Sequence, residues 1–176
     1  MASFYCEERG YRHEGLPMAF SLDFRTEQYD AGSVRFERDG ELVEAGNDRF
    51  ILANVELLAP GENENFVWAC WISLSHASYE RMQSLWETPG REDQEAALGW
   101  LYPPPTYEPS SQPLKAYVHT RPIGLRPWAE LEPTDHPLAV EQREGISYGR
   151  IAAIYHWFAA QETLKDFKNS VRRTPR

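Results

Sequence analysis

The chain has 176 residues, 41% apolar and 13% aromatic, with 18 Lys plus Arg against 27 Asp plus Glu and a formal charge of −9. That length suits one domain, residues 1–176, able to bury a core, and the composition excludes a disordered chain. The acidic balance argues against nucleic-acid binding, because phosphate backbones are repelled, and suits a basic protein partner.

The first residues, MASFYCEERGYRHEG, carry charges where a signal peptide needs an apolar stretch. No later run reaches the ~18 apolar residues of a membrane span, so a cytoplasmic protein without membrane contact is expected. Residues 1–32 read as a loop-rich opening segment holding Gly10, Gly15 and Pro17. Next, Val34 and Phe36 alternate with Arg35 and Glu37, and Asp39-Gly40 supplies the two positive-φ residues of a type I′ turn. That turn sets Phe36 against Val43 and Arg35 against Glu44, and both pairs make chemical sense.

A third strand over 49–58 puts Ile51, Ala53, Val55 and Leu57 on one face, and Pro60 to Asn63 turns the chain. The fourth, Phe66 to Leu74, is apolar on both faces and should be central. Cys70 lies within it as a small buried hydrophobe, and the only other cysteine is Cys6, so no disulfide framework is indicated. Ser73 or Ser75 then caps a helix to about Trp86, with Tyr79, Met82 and Leu85 or Trp86 along one stripe. Residues 88–98 read as a polar loop with a helical turn, and the prolines from Pro103 to Pro113 enclose a segment unable to pair regularly.

Strands over 114–121 and 126–132 follow, joined by Pro122 to Leu125. Pairing them sets Val118 against Ala129 and Ala116 against Leu131 on the core face. The other face then carries Lys115 against Glu132, Tyr117 against Glu130 and His119 against Trp128, with Arg121 and Arg126 together at the turn. Glu141 to Glu144, ended by Gly145, form a short helical turn. A last helix runs from about Ser147 to Phe167 with Ile151, Ile154, Tyr155 and Phe158 inward. Lys165, Lys168, Arg172, Arg173 and Arg176 complement its dipole, and residues 168–176 form a basic, frayed tail. The sum is an α+β fold: an antiparallel sheet of about six strands, meander plus hairpin, with one helix after the fourth strand and a long C-terminal helix.

The candidate binding residues are His119, Arg121, Arg126, Trp128, Glu130 and Glu132 on the hairpin face, with Asp135, His136, Gln142 and Arg143 just beyond. Taken alone, these residues describe a solvated face with cross-strand ion pairs worth ~0.2–1 kcal/mol each, since no spacing matches a catalytic signature. No Gly-x-Ser-x-Gly elbow and no phosphate-cradling glycine loop occurs, and no cofactor is expected. A structural zinc site wants four N or S ligands, and Cys6 and His13 have no companion cysteine at that spacing. His76 and His156 read as helix residues with structural or solvent-facing roles.

Four segments resemble a bacterial family called domain of unknown function 2199: FYCEERGYRHEGLP from Phe4, FVWACWISLS from Phe66, Gly99-Trp100-Leu101, and VHTRPIGLRPWAELEPTDHPLAVEQREGI from Val118. The resemblance implies a small cytoplasmic bacterial protein and brings no established reaction, cofactor or substrate. Relatives commonly show a cysteine cluster near the N-terminus, where this chain keeps only Cys6. The expected function is a non-enzymatic protein-binding module, of the kind that neutralises a basic toxin domain. The alternative is a small enzyme or ligand-binding protein. There His119 is acid or base, Glu130 or Asp135 orients it, and Arg121, Arg126 and Arg143 hold an anionic small molecule.

Overall fold

Positive φ at Arg38, Asp39 and Gly40 turns the chain between β4 (Val34–Glu37) and β5 (Leu42–Ala45), with Phe36 opposite Val43 and Arg35 opposite Glu44 as the alternation requires. The computed structural model describes residues 4–6, 10–30, 32–61 and 65–172. The turn expected at 60–63 lies partly outside them. Next comes β6 (Asp48–Leu58), whose Ile51, Ala53, Val55 and Leu57 are fully buried. It pairs antiparallel with both β5 and β7 (Asn65–Leu74). β7 is central, as its apolar run implies. Phe66, Trp68, Cys70 and Ile72 face the core, while Trp71 on the other face donates Nε1–H to the Leu22 carbonyl at 3.0 Å and meets Phe24 edge-on. Burial pushes the Cys70 thiol far above its ordinary pKa.

The expected antiparallel sheet of about six strands needs correction, because there are more strands and two of their pairings are parallel. Among the described residues the main sheet has eight strands, and five of them, β6, β7, β8 (Ala97–Leu101), β9 (Leu114–His119) and β10 (Trp128–Leu131), close into a barrel in that order, β10 returning to β6. β8 (Ala97–Leu101) occupies part of the stretch read as a polar loop. It pairs antiparallel with β7 and with β9 (Leu114–His119). β10 (Trp128–Leu131) pairs with β9 in the expected register, Val118 against Ala129 and His119 against Trp128. Its other edge meets β6 in parallel at a single pair, Trp128 and Asn54, and that contact closes the ring. Both strands of this hairpin are shorter than their alternation predicts.

The opening segment is also more ordered than its glycines suggest. β1 (Phe4–Cys6) and β2 (Tyr11–His13) pair antiparallel as a separate two-stranded sheet, and β3 (Ala19–Ser21) joins β7 in parallel. Strands of three residues are too short to display a period of two, which is why they read as loop.

Among the described residues three α-helices complete the fold. α1 (His76–Leu85) is capped by Ser75, whose Oγ accepts from Ser78 N–H at 3.1 Å, and it buries Tyr79 and Met82. α2 (Pro137–Glu144) is longer than the expected helical turn, and Gly145 ends it at φ 93°. α3 (Tyr148–Arg172) extends past Phe167 into the segment read as frayed, and residues 173–176 lie outside the described residues. Ser147 accepts from Arg150 N–H at its start. Ile151 and Ile154 are buried, and Phe158 stacks on Phe20 with ring centroids 5.0 Å apart, covering the Trp68 end of the core.

In the proline-rich segment Pro103, Pro104 and Tyr107 are buried, Tyr107 with only 1% of its surface exposed. Its hydroxyl accepts from Trp68 Nε1–H at 3.3 Å and donates to Glu141 on α2 at 2.5 Å, and Arg150 pairs with the same carboxylate at 3.1 Å. Burial, and then the Glu141 carboxylate, raise the phenol's pKa well above its ordinary value. Tyr107→Phe strands the Trp68 donor in the core and is expected to lower the unfolding free energy by about 1–3 kcal/mol. Urea denaturation checks this, and an unchanged midpoint would mean that Trp68 and Glu141 find other partners.

Candidate functional site

Because side chains on a strand alternate, the barrel's inner residues fix what faces outward. With Ala116 and Val118 of β9 and Ala129 and Leu131 of β10 buried, Lys115, Tyr117, His119, Trp128, Glu130 and Glu132 share the outer face. Lys115 Nζ is 2.8 Å from Glu132 and 5.5 Å from the Tyr117 ring centre. The His119 imidazole stacks on Trp128, with centroids 4.4 Å apart and planes 14° from parallel. Its Nε2 lies 3.3 Å from Glu130 Oε2, an ion pair when the ring is protonated. That contact is off the direction of a hydrogen bond, and the nitrogen is otherwise buried without a partner.

The two arginines at the hairpin turn reach carboxylates that the sequence did not nominate. Arg121 meets Glu56 of β6 at 2.5 Å, and Arg126 meets Glu41, in the β4–β5 turn, at 2.7 Å. Glu56 was legible only as an outward residue between Val55 and Leu57. Its partnership depends on barrel closure, which has no local signal. With both guanidinium groups paired, the face offers a simple anion less than the residue types suggest.

Beyond the hairpin, three candidates hold backbone in place. Gln142 accepts from Leu131 N–H and donates to the Ala129 carbonyl, both at 2.8 Å, so its amide completes the edge of β10 where β6 has diverged. Arg143 donates to the carbonyls of Thr134 at 3.0 Å and Ala139 at 3.1 Å. His136 is the N-cap of α2, its Nδ1 accepting from Leu138 N–H at 3.2 Å, while its Nε2 is buried without a partner. Asp135 is exposed.

A cleft of about 460 Å³ opens beside this seam. Five of the ten sequence-predicted residues line it: Arg121, Trp128, Glu130, Gln142 and Arg143. Glu56, Leu131 and Pro133 complete the walls. Among the described residues no cluster of three His, Cys, Asp or Glu is placed to hold a metal ion. The side chains of Cys6 and His13 lie outside the described residues. No helix among those residues is long and apolar enough to cross a membrane.

Strand β8 supplies what the sequence reading missed. Leu98 and Trp100 on its outer face, and Tyr102 just past its end, are 45%, 48% and 59% exposed. Leu98 lies opposite Tyr117 and Trp100 opposite Lys115, so the apolar stripe continues into the hairpin face. Its signal was the small inward set Ala97, Gly99 and Leu101, a period of two hidden by apolar residues on both faces.

A family model described as "Uncharacterized protein conserved in bacteria (DUF2199)" matches residues 5–146. No curated protein and no solved structure matches the chain.

Proposed function

Starting from a chain that belongs to the DUF2199 family of uncharacterised bacterial proteins, we propose that it is a non-enzymatic protein-binding module. Its docking surface is the outer face of β8, β9 and β10. The observation that carries this reading is the exposed stripe of Leu98, Trp100 and Tyr102 beside Tyr117. Large aromatics gathered on one exposed face are characteristic of interface cores, whereas scattered single hydrophobics are ordinary surface. The surroundings are acidic. Glu92, Asp93 and Glu95 are exposed just before β8, Glu130 is exposed on β10, and the one lysine on the face is engaged by Glu132. Together with the overall charge of −9, this selects a basic protein as partner, a basic toxin domain being one of that chemistry.

The test is affinity capture from native bacterial lysate by wild type and by Trp100→Ser/Tyr102→Ser, whose changed side chains are exposed and should leave the fold intact. A basic protein held stoichiometrically by wild type, released by salt and not held by the folded variant is the expected result. Identical proteins on both baits would overturn the assignment of the surface.

A further inference from the structure

We infer that the cleft at the β10–β6 seam, whose walls share Trp128 and Glu130 with the docking face, is a site for a small zwitterion of the α-amino-acid class. The cleft exists because β10 leaves β6 after the single Trp128–Asn54 pair, and Gln142 of α2, not another strand, completes the β10 edge. Its volume falls within the roughly 300–1,000 Å³ of small-molecule sites.

The charges along its walls decide the ligand. Arg121 and Glu56 neutralise one another at 2.5 Å. That leaves one carboxylate and one guanidinium. Glu130 on β10 has a side chain 59% exposed, with His119 its only ion-pair contact among the described residues. Arg143 on α2 bonds two backbone carbonyls through Nη1 and meets no carboxylate among the described residues, so Nε and Nη2 keep donors for a ligand. A simple anion would satisfy Arg143 and be repelled by Glu130, and a simple cation would meet the reverse. A molecule carrying both signs satisfies both, its carboxylate on Arg143 and its ammonium on Glu130.

The apolar remainder fixes the rest of the ligand. His119 stacks on one face of the Trp128 indole, and the residue also borders the cleft together with Pro133. An apolar or aromatic side chain is therefore the complementary third group. This inference does not depend on the partner surface of β8.

Titration with L-phenylalanine, L-phenylalaninamide and N-acetyl-L-phenylalanine, followed by amide ¹H–¹⁵N spectra, tests it. Phenylalanine should shift residues of the cleft, and each blocked form should bind at least about tenfold more weakly. Arg143→Gln should weaken phenylalanine about tenfold or more and leave the amide unaffected, with Arg143→Lys recovering part of the loss. Glu130→Gln should weaken phenylalanine and leave the N-acetyl form unaffected. Trp100→Ser should bind phenylalanine like wild type, so the two readings fail separately. Absence of cleft shifts at ~10 mM phenylalanine, or blocked forms binding as well as the free amino acid, would overturn the proposal.

Discussion

Replacing Arg91 by methionine should lower the unfolding free energy by about 3–5 kcal/mol, measured as a shift of the urea midpoint at unchanged slope. Arg91 sits in a 3₁₀ turn (Arg91–Asp93) and is only 2% exposed. Among the described residues no carboxylate pairs with it. The guanidinium is solvated by backbone instead, Nε donating to the Arg121 carbonyl and Nη1 to the Trp86 carbonyl, each at 2.5 Å. Nη2 reaches the carbonyls of Leu125 at 2.9 Å and Pro122 at 3.3 Å. The Thr120 hydroxyl donates in turn to the Arg91 carbonyl, and the guanidinium carbon lies 5.3 Å from the Trp86 ring centre.

Exchanging a buried ion pair for apolar groups is often neutral, because both polar partners leave together. Here the acceptors are main-chain carbonyls and stay behind. Each one left buried without a donor costs ~1–3 kcal/mol, reduced where the exposed 122–125 loop can take up water. Lysine should not rescue, since one ammonium cannot present the planar fork that reaches four carbonyls at once. A methionine variant within ~1 kcal/mol of wild type would show that water replaces the guanidinium at little cost.

How far the sequence could foresee this depends on the range of each interaction. The β4–β5 register and the β9–β10 register were both legible because turn chemistry and side-chain alternation lie within a few residues of one another. The cap of α1, read as Ser73 or Ser75, and the Gly145 stop of α2 were legible for the same reason, whereas the His136 N-cap of α2 was not. Barrel closure was not, since it rests on one parallel pair, Trp128 and Asn54, joining residues far apart in the chain. Arg91 belongs to the same class. As one charge in a polar stretch it reads as solvated, and only the three-dimensional convergence of Trp86 with the 121–125 connection makes it a core residue.

The candidate site divides along the same line. His119, Trp128 and Glu130 were placed together by strand period alone, and they meet as expected. Gln142 and Arg143 were named for their chemistry, yet their hydrogen bonds run to backbone, a use of polar side chains that no local pattern announces. Arg121 and Arg126, expected side by side, find separate carboxylates on β6 and in the β4–β5 turn. Residue type predicted the capacity for charge pairing, and topology chose the partners.

Gly99→Ala should be among the most damaging substitutions of a single methyl group, costing about 3 kcal/mol and lowering the melting temperature by roughly 6–12 °C. Gly99 lies in the interior of β8, between Leu74 of β7 and Ala116 of β9, and its backbone is ordinary strand, so left-handed φ is not the reason for glycine. The reason is space. A Cβ there would stand 2.5 Å from the Ser73 carbonyl oxygen, 2.6 Å from Ile72 Cγ2 and 3.0 Å from Leu74 Cδ2. The nearest of these is main chain, which cannot rotate away. In an open sheet an outer strand could slide outward by the few tenths of an ångström required. β8 has β7 on one side and β9 on the other within a closed ring, so relief on one side is compression on the other. The strain should therefore reach the weakest joint of the ring, the single β10–β6 pair, and speed amide exchange at Asn54, whose N–H donates to the Pro127 carbonyl at 2.9 Å. A variant melting within ~2 °C of wild type, with that amide still protected, would mean that β7 and β8 can separate locally, and that the barrel is less tightly closed than its pairing implies.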